Sequence, residues 1–201
     1  MSFLVGDCTL RIFDKTILET CEEFNCGDED LNEFFRTDVL AYDAELLGKS
    51  YCFTLDSNPN KIVAAFTLAN DSIKTFILPN ARKKKVIAPI PRVKHMKSYP
   101  AVMIGRLGVA ENYRRIGGQD KSTGDQLMDF IKAWFIDSRN KTGCRFIVVD
   151  AFNNEKALRF YDRNNFVPLF SNEEQEKEVS GIKSELTLAS RLLYFDLIVL
   201  K

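Results

Sequence analysis

Histidine occurs once in the 201 residues, at His95. No arrangement that needs a second histidine is available, and a lone histidine in a basic, proline-containing segment reads as exposed. Cysteine is scarce and odd in number, at five. Cys21 and Cys26 have four residues between them and no further cysteine or histidine pair nearby, which speaks against a zinc site. Cys8, Cys52 and Cys144 sit in or beside apolar runs, so the five read as reduced, mostly buried thiols of a cytoplasmic protein. An excess of charge is missing too, since 28 Lys and Arg balance 28 Asp and Glu. No global field drives such a chain onto nucleic acid or membrane, so either partner needs a local patch. No apolar run approaches the ~20 residues that cross a bilayer, and no membrane partner is expected. The first residues lack a basic segment followed by a long apolar core, so no signal peptide is expected. Lys121-Ser122 lacks the preceding Gly-x-x-x-x-Gly of a P-loop.

What is present is an ordinary globular composition in a length suited to a single domain, residues 1–201. The chain is organised around Val102 to Phe166. The run Val102-Met103-Ile104-Gly105-Arg106-Leu107-Gly108-Val109 has no helical stripe and reads as a buried strand. A polar loop, Glu111 to Lys121, leads through Ser122-Thr123-Gly124 into a segment where Leu127, Ile131, Trp134 and Phe135 recur at helical spacing. Phe146-Ile147-Val148-Val149 is a second strand, and Asn153 to Tyr161 a short helix with a polar start. Strand, loop, helix, strand is a βαβ unit, which predicts parallel strands and a right-handed crossover.

Upstream, Cys8 to Phe13 alternates as a strand. Asp28 is a helix N-cap before the apolar face Leu31, Phe34, Phe35, Val39 and Tyr42, and Gly48 marks that helix's end. Tyr51–Leu55 and Ile62–Leu68 form a hairpin around residues 56–61, with Pro59 inside the turn. Residues 82–97 hold seven Lys and Arg and no acid, which reads as a mobile connection or a binding arm. Glu173 to Glu178 reads as a solvated acidic segment, and Leu192 to Leu200 as a terminal strand. The order predicts an α/β fold, a mixed central β-sheet flanked by helices on both faces.

The order of parts from Val102 to Phe166 resembles the GNAT superfamily of acyl-CoA-dependent N-acetyltransferases. Gln119-Asp120-Lys121-Ser122-Thr123-Gly124 fits the superfamily's pyrophosphate frame, Gln/Arg-x-x-Gly-x-Gly/Ala, with Ser122 in place of the first glycine and a lengthened loop from Arg114. Asn154-x-x-Ala157-x-x-x-Tyr161, followed by Phe166, follows its second motif. Asn165 stands where glycine is usual, and asparagine is the best substitute in a left-handed conformation. The resemblance implies a GNAT-like fold that binds acetyl-CoA. Pyrophosphate would lie at the backbone of Gln119, Lys121, Ser122, Thr123 and Gly124, with Arg114 and Arg115 nearby, and the pantetheine arm along Leu107, Gly108 and Val109. The cofactor would then lie between strands 102–109 and 146–150. A capped helix behind an ordinary polar loop would carry the same residues, and burial alone would explain Leu107 and Val109.

In the same resemblance Tyr161 is the general acid. Aminolysis of a thioester expels a thiolate with a conjugate pKa near 8.5, which a phenol of pKa ~10 can protonate. A core role for Tyr161 stays open, as does a capping rather than cofactor-binding role for Asn154. Arg106, charged in an apolar run, is either a structural ion pair or faces the cleft. Two function classes follow. One is an enzyme acetylating a primary amine, small-molecule or macromolecular. The other is a sensor or regulatory module that holds acyl-CoA without turnover. Residues 101–110 carry no Asp or Glu to serve as a base, which favours an α-amine, pKa near 7.7–8.0, over a lysine near 10.4. Tyr99 to Val109 and Phe24-x-Cys26-Gly27 look like the superfamily's toxin branch, which acetylates the amino acid on charged tRNA. The basic stretch 82–97 is either a solvated loop or the contact to that RNA. A homodimer stays open.

Overall fold

The computed structural model describes residues 2–90 and 97–201. Helix α1 (Phe3–Gly6), strand β1 (Cys8–Ile12), helices α2 (Lys15–Thr20) and α3 (Glu29–Glu33), a π-helical turn (Phe34–Asp38) and α4 (Val39–Ala44) lead into β2 (Lys49–Leu55) and β3 (Asn58–Lys74). Then come α5 (Asn80–Ile87), β4 (Ser98–Val109), α6 (Thr123–Ile136), β5 (Phe146–Phe152), α7 (Glu155–Arg163), β6 (Val167–Pro168), α8 (Glu173–Ser180) and β7 (Ser190–Asp196). The strands make a mixed, helix-flanked sheet in the order β1-β2-β3-β4-β5-β7-β6, the α/β class expected. The chain forms two compact units, Met1–Ala69 with Ile104–Trp134, and Asn70–Met103 with Phe135–Lys201. Strands β3 and β4 each run through both.

In the first unit β1, β2 and β3 pair antiparallel in sequence. Phe13, Ile17, Phe24, Phe35, Val39 and Cys52 form its core. Helix α6 buries Leu127, Met128 and Ile131 completely, and sets Phe130 and Trp134 edge-on against Phe53 and Tyr51, both 5.0 Å between ring centroids. Asp28 caps α3 as its position suggested, accepting the Leu31 N–H at 3.1 Å. The end of that helical run differs from expectation. Helix α4 stops at Ala44 and Leu46 takes the left-handed conformation (φ 58°). Gly48 serves proximity instead, for a Cβ there would lie 2.9 Å from the Tyr42 ring and 3.1 Å from the Leu68 carbonyl. The hairpin is also tighter than expected. Its turn is Asp56-Ser57, and Pro59 lies in the first residues of β3, a place where a strand tolerates proline.

In the second unit β7 pairs antiparallel with β5 and with β6. The apolar run of β5 is buried from Phe146 to Val149. Residues 82–87 of the basic stretch belong to helix α5 rather than to an irregular arm. Arg82 points inward: its Nε donates to the Leu169 carbonyl at 2.9 Å and its Nη2 to that of Pro168. Lys84 and Lys85 remain exposed. Arg92, Lys94 and His95 lie outside the described residues. The acidic segment is helix α8, and its Glu176 is buried, accepting from Arg191 Nε at 2.7 Å and from the Leu192 N–H at 2.6 Å. The terminal strand ends at Asp196, whose side chain caps a 3-10 turn over Leu197–Leu200. All five cysteines are free. Burial pushes Cys8 and Cys52 up to about 12 and Cys144 up to about 11.

Arg82→Ala leaves two inward carbonyls without their donor and should cost about 1.5–3 kcal/mol in denaturant unfolding. Lys84→Ala, on the outer side of the same helix, should stay within about 0.5 kcal/mol. Equal effects would remove Arg82 from the core.

Candidate functional site

The candidate residues fall into two groups, one in each unit. In the first unit β4 carries Leu107 and Val109, half-buried, on either side of buried Gly108. A Cβ at Gly108 would lie 3.1 Å from the Phe24 ring and 3.2 Å from Cys26 Cβ. The glycine therefore makes room for the chain's own Phe24, while Gly105 opens onto free space. Arg106 is exposed and joins no ion pair among the described residues. Its guanidinium lies 5.1 Å from the Phe34 ring centroid, and Nη1 donates to the Gly105 carbonyl at 3.0 Å.

The loop after β4 is tied to residues 24–27. The Glu111 N–H donates to the Asn25 carbonyl at 3.1 Å. Arg114 Nη2 donates to the Cys26 carbonyl at 2.5 Å, and Nη1 lies 3.6 Å from Glu111. Arg115 is exposed and joins no ion pair among the described residues. Gly118 turns the chain with φ +77° and open space around it. Gln119 Oε1 accepts the Phe3 N–H at 3.1 Å. Lys121 pairs with Asp129 at 2.5 Å, which raises its pKa.

Ser122 caps α6. Its hydroxyl donates to Asp125 at 2.5 Å and accepts the Asp125 N–H at 3.2 Å. The buried Thr123 gives its hydroxyl to the Tyr113 carbonyl and its N–H to that of Arg114, 3.1 Å away. The first turn of α6 thus spends the Thr123 and Asp125 N–H groups within the chain. The Gly124 N–H is the donor these bonds leave over. Chemically this is a helix start with a positive end, already partly satisfied, where an anion competes with Asp125 for the Ser122 hydroxyl.

In the second unit α7 follows β5. Asn154 caps it, its Oδ1 accepting the Ala157 N–H at 2.9 Å. Its amide nitrogen has no partner among the described residues. Tyr161, about two turns further on, is half-buried between Phe160 and Phe166, with ring centroids 5.1 and 5.4 Å away. Its hydroxyl has no hydrogen-bond partner among the described residues, and desolvation raises its pKa to about 12. The phenol is thus protonated throughout the physiological range. Asn165 takes the left-handed conformation (φ 61°), which turns the chain so that Phe166 N–H reaches the Tyr161 carbonyl at 3.0 Å.

Sequence reasoning passed over Gln126, buried beside the loop, and Asn153, whose Nδ2 ties Leu188 and Glu173 to the start of α7. A glutamine four residues after the capping Ser122, inside a helix whose next residues are apolar, was the available signal for the first. Cavities of about 310 Å³, around Asn140 to Arg145, and about 300 Å³, around Phe13, Cys21 and Phe35, lie one in each unit. None of the candidate residues lines either.

No protein-family model matches the chain, and no curated protein sequence does. Solved structures do. AtaT complexed with acetyl-methionyl-tRNAfMet superposes with a TM-score of 0.62 at 21% identity, over 96% of this chain and 97% of that one. A KacT variant with one tyrosine changed to phenylalanine gives 0.61 at 20%, over 96% and 97%. AtaTR bound with AcCoA gives 0.61 at 20%, over 96% and 95%. The chain shares their GNAT-like fold.

Folding raises the Tyr161 pKa from 10.0 to about 12, so the unfolded chain loses the proton first. The contribution is intact below pH 10 and falls by about 1.4 kcal/mol per pH unit between 10 and 12. Tyr161→Phe should lose less stability than wild type across that window in urea unfolding, and parallel curves would mean the hydroxyl is solvated.

Proposed function

We propose that the chain is an acetyl-CoA-dependent N-acetyltransferase, and that its acceptor is an α-amino group, with that of an aminoacyl-tRNA favoured. The observation that carries this reading is Tyr161, a neutral phenol with an unspent hydroxyl on the helix that Asn154 caps. In the reaction the neutral amine attacks the thioester carbonyl, the C–N bond forms and the C–S bond breaks. Tyr161 gives its proton to the departing sulfur, and the proton shed by the amine returns through water to the phenolate. Desolvation that lifts the phenol to about 12 lifts a thiolate in the same surroundings too, which keeps donor and acceptor matched. The absence of any Asp or Glu from Ala101 to Ala110 suits an acceptor that is already partly neutral.

Acetyl-CoA would supply the acetyl group and be held by its pyrophosphate at the Gly124 N–H, Ser122 and Arg115, with Arg114 bracing the loop. The fit is partial: Asp125 has to yield the Ser122 hydroxyl. That same pairing favours the second reading, a module that binds acyl-CoA without turnover. Support for the tRNA acceptor comes from the solved neighbour carrying acetyl-methionyl-tRNAfMet and from Lys83, Lys84 and Lys85 on α5. Lysines that neutralise phosphates make binding salt-dependent.

Free-thiol release from acetyl-CoA with an amine panel separates enzyme from module. Tyr161→Phe should fold, bind acetyl-CoA and turn over roughly 10²- to 10⁴-fold more slowly. Turnover at the wild-type rate would return the residue to a packing role. Charged tRNA should be acetylated, and changing Lys83, Lys84 and Lys85 together to Ala, with Arg82 kept, should weaken the reaction and flatten its salt dependence. Acetylation of a free peptide or polyamine with every charged tRNA untouched would exclude the tRNA acceptor.

A further inference from the structure

We propose that Gln126 is a positioning residue for the loop that precedes α6, and that through it helix α1 and cofactor binding are coupled. This rests on the reading that acetyl-CoA binds at that loop. A helix leaves its first N–H groups without intrahelical acceptors. Helix α1 has Ser2 at its N-cap, and the Ser2 side chain caps nothing. The loop and the first turn of α6 supply the acceptors instead. The Phe3 N–H donates to Gln119 Oε1 at 3.1 Å and the Leu4 N–H to Gln126 Oε1 at 2.9 Å. Gln126 is 4% exposed. It uses both ends of its amide, since Nε2 donates to the Lys121 carbonyl at 3.0 Å. One side chain therefore fixes the residue just before Ser122 against α1.

A second tie runs beside it. The Phe3 ring stacks on Tyr113, 6.3 Å away and 18° from parallel, and the Tyr113 carbonyl takes the Thr123 hydroxyl. Leu4 is fully buried, which anchors the α1 side. A loop rearranged by an anion at Ser122 and Gly124 moves the Lys121 carbonyl, and with it the acceptors of the α1 donors. Linkage then requires that docking of α1 and occupancy of the loop change each other by the same factor.

The test uses Gln126→Met, which keeps the volume and loses both hydrogen bonds. Its KM for acetyl-CoA should rise about tenfold with kcat within about twofold, one hydrogen bond's worth of uniform binding. Ile17→Val, a mild core truncation in α2, should lower the melting temperature and leave KM unchanged. In wild type, coenzyme A should change amide exchange at Phe3 and Leu4, a readout that does not depend on the variant folding. Wild type that binds acetyl-CoA by calorimetry, with unchanged exchange at Phe3 and Leu4 or with equal KM rises in both variants, overturns the coupling alone. Wild type that shows no binding ends the functional reading and the coupling together.

Discussion

A helix begins with more donors than acceptors, and that surplus organises the first unit. Three helix starts meet the demand in three ways. Helix α3 uses its own Asp28, α6 uses Ser122 with Asp125, and α1 borrows Gln119 and Gln126. The loop from Glu111 to Ser122 gains its shape from these obligations, with Arg114 fastening it to the Cys26 carbonyl. An anion at this point meets a site where all but the Gly124 N–H of these donors are already in use, so its affinity depends on how cheaply the chain releases the rest.

The second unit is governed by desolvation. Phe160 and Phe166 enclose Tyr161 and hold its proton in place well above the ordinary phenol range. The left-handed Asn165 makes this enclosure possible by turning the backbone sharply after α7. Arg82 and Glu176 do comparable work for the outer elements. Each carries its charge inward to satisfy backbone groups of neighbouring segments, so polar contacts help fasten α5 and α8.

Much of this was legible in the sequence where the cause is local. The strands at 102–109 and 146–149, the Asp28 cap and the left-handed Asn165 follow from residue type and immediate neighbours. The fold class follows from the order of those elements. What was not legible depends on partners far along the chain. Arg82 reads as one of seven cations until the carbonyls of Pro168 and Leu169 are beside it. Glu176 reads as one of a solvated run until Arg191 meets it. Gly108 reads as one residue of a backbone run until the Phe24 ring lies where its side chain would be. In the candidate site Ser122 and Asn154 were identified as positions, but their side chains are engaged in capping, a use that sequence alone does not separate from ligand binding.

The five free cysteines bear on what the proposed reaction leaves behind. Each turnover releases a thiol, and thiols oxidise to disulfides that exchange with any accessible thiolate. Cys8 and Cys52, lifted from 9.0 to about 12, hold about a thousandfold less thiolate at neutral pH than ordinary cysteines. Cys144 follows at about 11, and burial raises Cys26 as well. A fold that keeps these sulfurs protonated can work in a pool of coenzyme A and its disulfide with little covalent capture at those four positions.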